Sequence, residues 1–419
     1  MNLTNFFQRN KKIIFVLLFA GVCFLIGYFI WKLFFMPVTT PGVKVQPVST
    51  STAENLPSAE EGGQQVSTTT GPGTVPGSKY IIPGKTTEAA SAVASGGITK
   101  TTELTKQKTL NPTMSSDGNS VKYYSQDDGK FYSLNAKGEA VAISDKVFHN
   151  VSDVTWSPNS GKAVIEYPDK TKIVYDFNTE KQVTLPKHWE DFAFSPDSNQ
   201  LVMKSLATDP DNRWLIVSDA DGSKARALEF IGTNDKTVIP SWSPSNQSVA
   251  MYTKGIDLNR KEVFFVGLNE ENFKSTVTNG RGFQSEWSKT GDKLLYSVYN
   301  TDTNLKPSLW IVGAQGDNIG AGRKSLEIET WADKCTFANN SKIYCAVPES
   351  LENGAGMFPE VALKTKDQLY EIDTETGSKK LIAIPDGSYN ISNLMVSEKE
   401  DTLFFSDQKT NQIYKIDLQ

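Results

Sequence analysis

His149 and His188 are the only two imidazoles in the 419-residue chain. Acid–base chemistry near neutrality would rest on them or on carboxylates with shifted pKa values. The sequence has no G-x-S-x-G nucleophile turn, no H-E-x-x-H and no paired C-x-x-C, so neither acyl transfer nor a zinc site is indicated. "DPDN" at Asp209 and "DADG" at Asp219 share pieces of a calcium loop, but lack its spaced ligands and closing Glu. They read as turns with solvated Asp, and no metal or cofactor is expected. Asp and Glu are plentiful. Catalysis by carboxylates alone stays open, because their pairing depends on tertiary structure. Of the three cysteines, Cys335 and Cys345 flank a tight hairpin in "DKCTFANNSKIYCAV". Facing positions on such a hairpin lie within reach of a bridge, so a Cys335–Cys345 disulfide is predicted.

The residues that could do chemistry need elements to position them, and the chain repeats itself. "VTWSPNSGKAVIEY", "FAFSPDSNQLVMKS", "PSWSPSNQSVAMYT" and "SEWSKTGDKLLYSV" are near-copies. The bulky residue before each turn falls at Met114, Trp156, Phe194, Trp242, Trp287, Phe337 and Val396. Periods of about 40–50 residues mark repeated supersecondary units. Each unit adds a second alternating run ("KIVYD", "RWLIV", "SLWIV"), and most add a third ("KQVTL", "ARALE"). With the strand before the turn, that makes four short strands per unit, the pattern of an all-β, seven-bladed β-propeller. Pro and Ser/Asn/Asp suit the turn. The Trp before it is read as a packing wedge between sheets.

"WSPNSGK", "FSPDSNQ" and "WSPSNQS" resemble the PD40 repeat of the TolB-like propellers, written W-S-P-D-G-K. The resemblance spans roughly residues 110–419. It implies an extracytoplasmic binding or scaffolding module without naming a ligand. WD40 repeats fit less well, since they want a Gly-His and a Trp-Asp in each blade. The same propeller type precedes the hydrolase domain of prolyl-oligopeptidase-like enzymes. Here the sequence stops one strand short of a last blade, and no such domain is expected to follow.

Residues 13–35 begin with "IIFVLLFAGVCFLIGYFIW", an uncharged run long enough to cross a bilayer. Arg9, Lys11 and Lys12 precede it, which puts residues 1–12 in the cytoplasm and the rest outside as a single-pass cell-membrane protein. A cleaved signal peptide fits less well, because the run is long and ends in "WKLFFMP". Residues 36–97, rich in Ser, Thr, Gly and Pro, read as a flexible linker, and residues 98–419 as the propeller. Net charge is −5 overall and −10 over residues 111–419, once the positive first 110 residues are set aside. An acidic body without a basic cluster argues against nucleic acid or anionic lipid as its ligand.

Two functions are carried forward. One is a binding or scaffold module for a protein, peptide or envelope polymer, and not an enzyme. The alternative is a surface hydrolase or lyase with a carboxylate site. The variable loops lie between second and third strands, above all Pro348 to Asp367, and share a face with the links between blades. Long loops on a rigid scaffold carry function. The contact candidates on that face are His188, Trp189, Asp209, Asp211, Arg260, Arg281, Phe283 and Phe358, with the aromatics as anchors and the charges orienting. The ring should close by pairing residues 99–106 with 412–418.

Overall fold

In this computed structural model, the described residues are 19–22, 24, 25, 27, 28, 89–271 and 273–418. Two compact units separate at Ile81/Ile82. In the first, only the scattered positions between 19 and 28 are described, and they are helical. Among the described residues no helix is long and apolar enough to cross a membrane. The anchor expected over 13–35 falls mostly outside them. The tail 1–12 and the linker as far as residue 88 fall wholly outside them.

The second unit is a seven-bladed β-propeller. Each blade is built on an antiparallel sheet whose strands, apart from the two added at ring closure, run in sequence order from the channel outward. The innermost strands are Thr109–Met114, Asp153–Trp156, Trp189–Phe194, Val238–Pro240, Arg281–Trp287, Cys335–Phe337 and Ile391–Val396. Six of the seven end on the bulky marker residue, and in blade 4 Trp242 follows two residues later. Among the described residues of this unit, helical structure is confined to four short 3-10 turns.

No blade has a core of its own. Seven apolar clusters each join two neighbouring blades. Phe131 and Tyr124 of blade 1 meet Ile165 and Tyr175 of blade 2, and Val121 of blade 1 meets Phe404 and Ile413 of blade 7. The marker tryptophans do pack. Trp156 stacks on Phe177 at 5.2 Å and donates its indole N–H to the Asn111 carbonyl of blade 1. Trp287 donates to Ser241 Oγ of blade 4.

Four of the turns close through a buried serine, at Ser157, Ser195, Ser288 and Ser397. Ser157 Oγ accepts from the Lys162 amide at 2.9 Å, Ser195 Oγ from Gln200 and Ser397 Oγ from Thr402. The turns are also tied to one another around the ring. Lys122 Nζ donates to the Ser160 carbonyl (2.7 Å), Lys162 Nζ to that of Ser198 (3.3 Å) and Lys293 Nζ to that of Asn340 (3.1 Å), each in the next blade.

Closure follows the expected route. Thr102 and Glu103 pair antiparallel with Lys415 and Tyr414, supplying the outer strand of blade 7. The buried Thr105 hydroxyl accepts from the Ile413 amide. A second contact is new. Ile98–Thr99 runs parallel to Ile384–Pro385 and adds a fifth strand to blade 6. Ala94 and Gly96, upstream of the expected start at Ile98, also donate to the Asp417 and Ile382 carbonyls.

The predicted disulfide is present. Cys335 and Cys345 face each other across the first hairpin of blade 6, with Cα atoms 4.1 Å apart. This is the narrow spacing of a pair that exchanges no backbone hydrogen bonds.

Two outcomes test this architecture. Deleting residues 98–106 should open the blade 7 edge, lower Tm by about 5 °C or more and produce concentration-dependent association in light scattering. A monomer of unchanged Tm would contradict the closure. Replacing Cys335 and Cys345 together by Ala should cost about 2–3 kcal/mol in urea unfolding, the loop-closure value for so short a loop.

Candidate functional site

The face opposite the Ser-Pro turns carries the loops between second and third strands and the links between blades. We call it the loop face. Its loops are joined laterally. Asn259 Nδ2 in blade 4 donates to Thr301 Oγ1 in blade 5 at 3.2 Å. Gly354 and Gly356 in the long blade 6 loop donate to the Asn304 and Leu305 carbonyls of blade 5. The long loop has a small core of its own, with Ala355, Ala362 and Leu351 around Trp331. Its second half is a 3-10 turn, Pro359–Lys364.

The exposed aromatic side chains of the propeller, Trp214, Phe230 and Phe358, all lie on this face. Trp214 and Phe230, at the loop-face ends of two blade 3 strands, pack edge to face at 5.3 Å. Ile256 and Leu258 project from the blade 4 loop, Leu258 with 79 % of its surface exposed. Met357, Val361 and Leu363 project beside Phe358. Ile98, Val141, Val147 and Val183 are the other exposed large apolar residues of the ring among the described residues.

Most of these residues escaped the sequence reading. Trp189 is only 7 % exposed and packs in the core between blades 2 and 3, so it is a packing residue and not an anchor. Phe283 is half-buried against Tyr296. Arg281 lies over the Tyr299 ring at 5.5 Å, and its Nε is buried without a hydrogen-bond partner. Asp209 caps the 3-10 turn Pro210–Asn212 by accepting from the Asp211 amide, and both carboxylates are exposed. Arg260 is exposed and paired with Asp257 at 2.7 Å. His188 is exposed in the link between blades 2 and 3. Phe358, 53 % exposed, is where an anchor was expected. The candidates are distributed along the rim of blades 3 to 6 and do not converge on one pocket. Trp214 could have been found as a large aromatic at the loop end of a strand, directly after "DPDN".

At the inner edge of the face, between blades 5, 6 and 7, lies a cavity of about 280 Å³. A break in blade 6 creates it. The chain there forms the 3-10 turn Ala332–Lys334 before the short inner strand begins. This turn sets Asp333 and Lys334 into the cavity beside Trp331, and the long loop covers them with Pro359, Glu360, Ala362 and Leu363. The Lys334 ammonium is buried. It donates to Asp367 Oδ2 at 2.7 Å and to Asn390 Oδ1 at 2.8 Å. Asp367 Oδ2 also accepts from the Ile391 amide, while its Oδ1 is buried without a partner. Burial pushes the Asp367 carboxyl up, an effect partly offset by Lys334. Asn390 donates to the Ala362 carbonyl of the loop and, through its amide, to Asp407. One polar network thus joins blades 6 and 7 to the covering loop.

Below it, Glu286 projects from the inner strand of blade 5 into the channel. It is open to the channel yet walled by protein. That enclosure, with the negative charge of Asp333, pushes its carboxyl up to about 7. Burial also raises Asp333, despite the neighbouring Lys334. Among the described residues no group of three or more His, Cys, Asp or Glu is arranged to hold a metal ion.

No protein-family model matches the chain. No curated protein matches it either. Solved structures do. An oligogalacturonate lyase from Vibrio parahaemolyticus is 12 % identical over 76 % of this chain and 93 % of its own, with a TM-score of 0.48. An oligogalacturonate lyase in complex with manganese has the same identity and coverage, with a TM-score of 0.47. The β-propeller domain of Cps50 (Swd1) from Myceliophteria thermophila is 10 % identical over 76 % of this chain and all of its own, with a TM-score of 0.49. At these identities the likeness is one of fold, and no activity follows from it.

The network has a measurable consequence. Lys334→Met leaves Asp367 buried without its cation and should destabilise the fold by about 3–5 kcal/mol at pH 7 in urea unfolding. A cost below about 1 kcal/mol would show that the pair does not brace the blade 6–7 junction.

Proposed function

We propose that the chain is a membrane-anchored, extracytoplasmic β-propeller that binds or scaffolds a protein partner through its loop face. The observation that carries this reading is the placement of Trp214, Phe230, Leu258 and Phe358, exposed on one face of a rigid ring. Exposed aromatic and aliphatic groups held on rigid loops supply binding energy at little ordering cost. They favour a protein or peptide over a hydrated envelope polymer. The apolar run at 13–31 and its basic flank support the anchor and the orientation. The Cys335–Cys345 bridge supports an oxidising compartment.

A second reading, a propeller hydrolase or lyase, is favoured by Glu286 and Asp333. A carboxyl held near neutrality beside another acid is how sites separate an acid from a base. It ranks second because neither histidine lines the cavity and no nucleophile motif is present.

Cross-linking in intact cells, with the full chain as bait, tests the first reading. Trp214→Ala, Leu258→Ala and Phe358→Ala should each weaken partner capture about tenfold or more while leaving Tm within a few degrees. Lys137→Ala and Lys399→Ala, on the opposite face, should leave capture unchanged. The reverse pattern would place binding on the Ser-Pro-turn face. Turnover of a cell-surface substrate that is lost in Glu286→Gln would favour the enzyme.

A further inference from the structure

We propose that the cavity between blades 5, 6 and 7 receives a single basic side chain, lysine or arginine, from the protein that docks on the loop face. The proposal rests on the binding reading above and supplies the partner's chemistry. Three observations carry it.

The first is size and lining. A cavity of about 280 Å³ lies at the lower bound for small-molecule sites and suits one long side chain. Trp331, Ala362 and Leu363 make an apolar wall that would sheathe an aliphatic stem.

The second is charge. Among the described residues Lys334 is the only cation lining the cavity, and it is already engaged by Asp367. Among the described residues, Asp333 and Glu360, which line the same space, make no ion pair, and neither does Glu286, which feels the charge of Asp333. With the existing pair counted as neutral, the cavity keeps a negative surplus. Glu286 and Asp333 both keep exposed surface, and the surrounding protein raises both carboxyl pKa values, at Asp333 against the partial offset of Lys334. A guanidinium or ammonium in the cavity supplies that charge and makes charge-assisted hydrogen bonds to Asp333.

The third is approach. The cavity is roofed by the same loop that exposes Phe358 and Leu363, so a basic residue flanked by apolar neighbours would meet matching chemistry on entering. A divalent metal is less well served. It wants six or more oxygen ligands, and most of this lining surface is apolar.

The test titrates the full-length chain in detergent with n-butylguanidinium and n-butylammonium as side-chain probes and n-pentanol as the neutral counterpart, read by saturation-transfer NMR. The cations should bind at least about tenfold more tightly than the alcohol. Asp333→Asn should remove about tenfold of that affinity, and Glu360→Gln, on the exposed loop, a smaller part. Thermal melts confirm that both variants are folded. Equal binding of alcohol and cation, or unchanged affinity in both variants, overturns the proposal. So does displacement of the probe by millimolar Mg²⁺ or Ca²⁺, which would make this a metal site. The titration needs no partner. A negative result here leaves the loop-face reading standing, whereas a failed capture experiment with cation binding intact would remove the docking partner and keep only a cation-binding cavity.

Discussion

A propeller has no centre to hold it, and each blade is fixed only by the next. The apolar clusters join every pair of neighbours, and at three junctions a lysine of one blade also ends on the turn carbonyl of the next, as Lys122, Lys162 and Lys293 do. The acceptors Ser160 and Ser198 have φ values of 49° and 62°. Non-Gly residues rarely adopt this left-handed conformation. Here it turns the carbonyl toward the incoming ammonium. Turn shape, buried serine and neighbour contact form one unit, which explains why the chain writes the same hairpin repeatedly.

Bracing one face leaves the other free to vary. The loop-face connections are absent from the repeat pattern and differ in length from blade to blade. The blade 6 loop is long enough to build its own core on Trp331 and to bond sideways to blade 5. The cavity exists because the inner strand of blade 6 gives up its first residues to a 3-10 turn. That departure from regular pairing is tolerated because Lys334, Asp367 and Asn390 hydrogen-bond across the gap. The disulfide secures the hairpin that follows directly.

Local signals made the ring legible. Met114, Trp156, Phe194 and Val396 announce strand ends, and the alternation of each run announces its neighbours. Thr102 and Glu103 could be paired with the last strand because an unclosed blade needs a partner. The site was only partly legible. Trp189 and Trp214 look alike in sequence, each beginning a strand at the loop face. Trp189 lies against blade 2, whereas Trp214 turns to Phe230 at the outer edge. Nothing local separates those outcomes. Lys334 and Asp367 are 33 residues apart, and the pairing of the blade 6 strands around the long loop brings them together. Glu286 did leave a trace. A carboxylate in a strand recognised as innermost has only the channel to face.

The closing contact joins residues far apart in time as well as in space. Thr105 waits for Ile413, 308 positions later. A chain emerging amino terminus first therefore makes nearly the whole propeller while its first strand still lacks a partner. During that interval the blade 1 and blade 7 surfaces, with Val121, Phe404 and Ile413, lie open to any neighbouring chain. Contacts of such long range form late, and the exposed surface that precedes them is where aggregation begins. The contact that makes the finished ring most secure therefore makes its birth hazardous, and chaperones would have most to protect there.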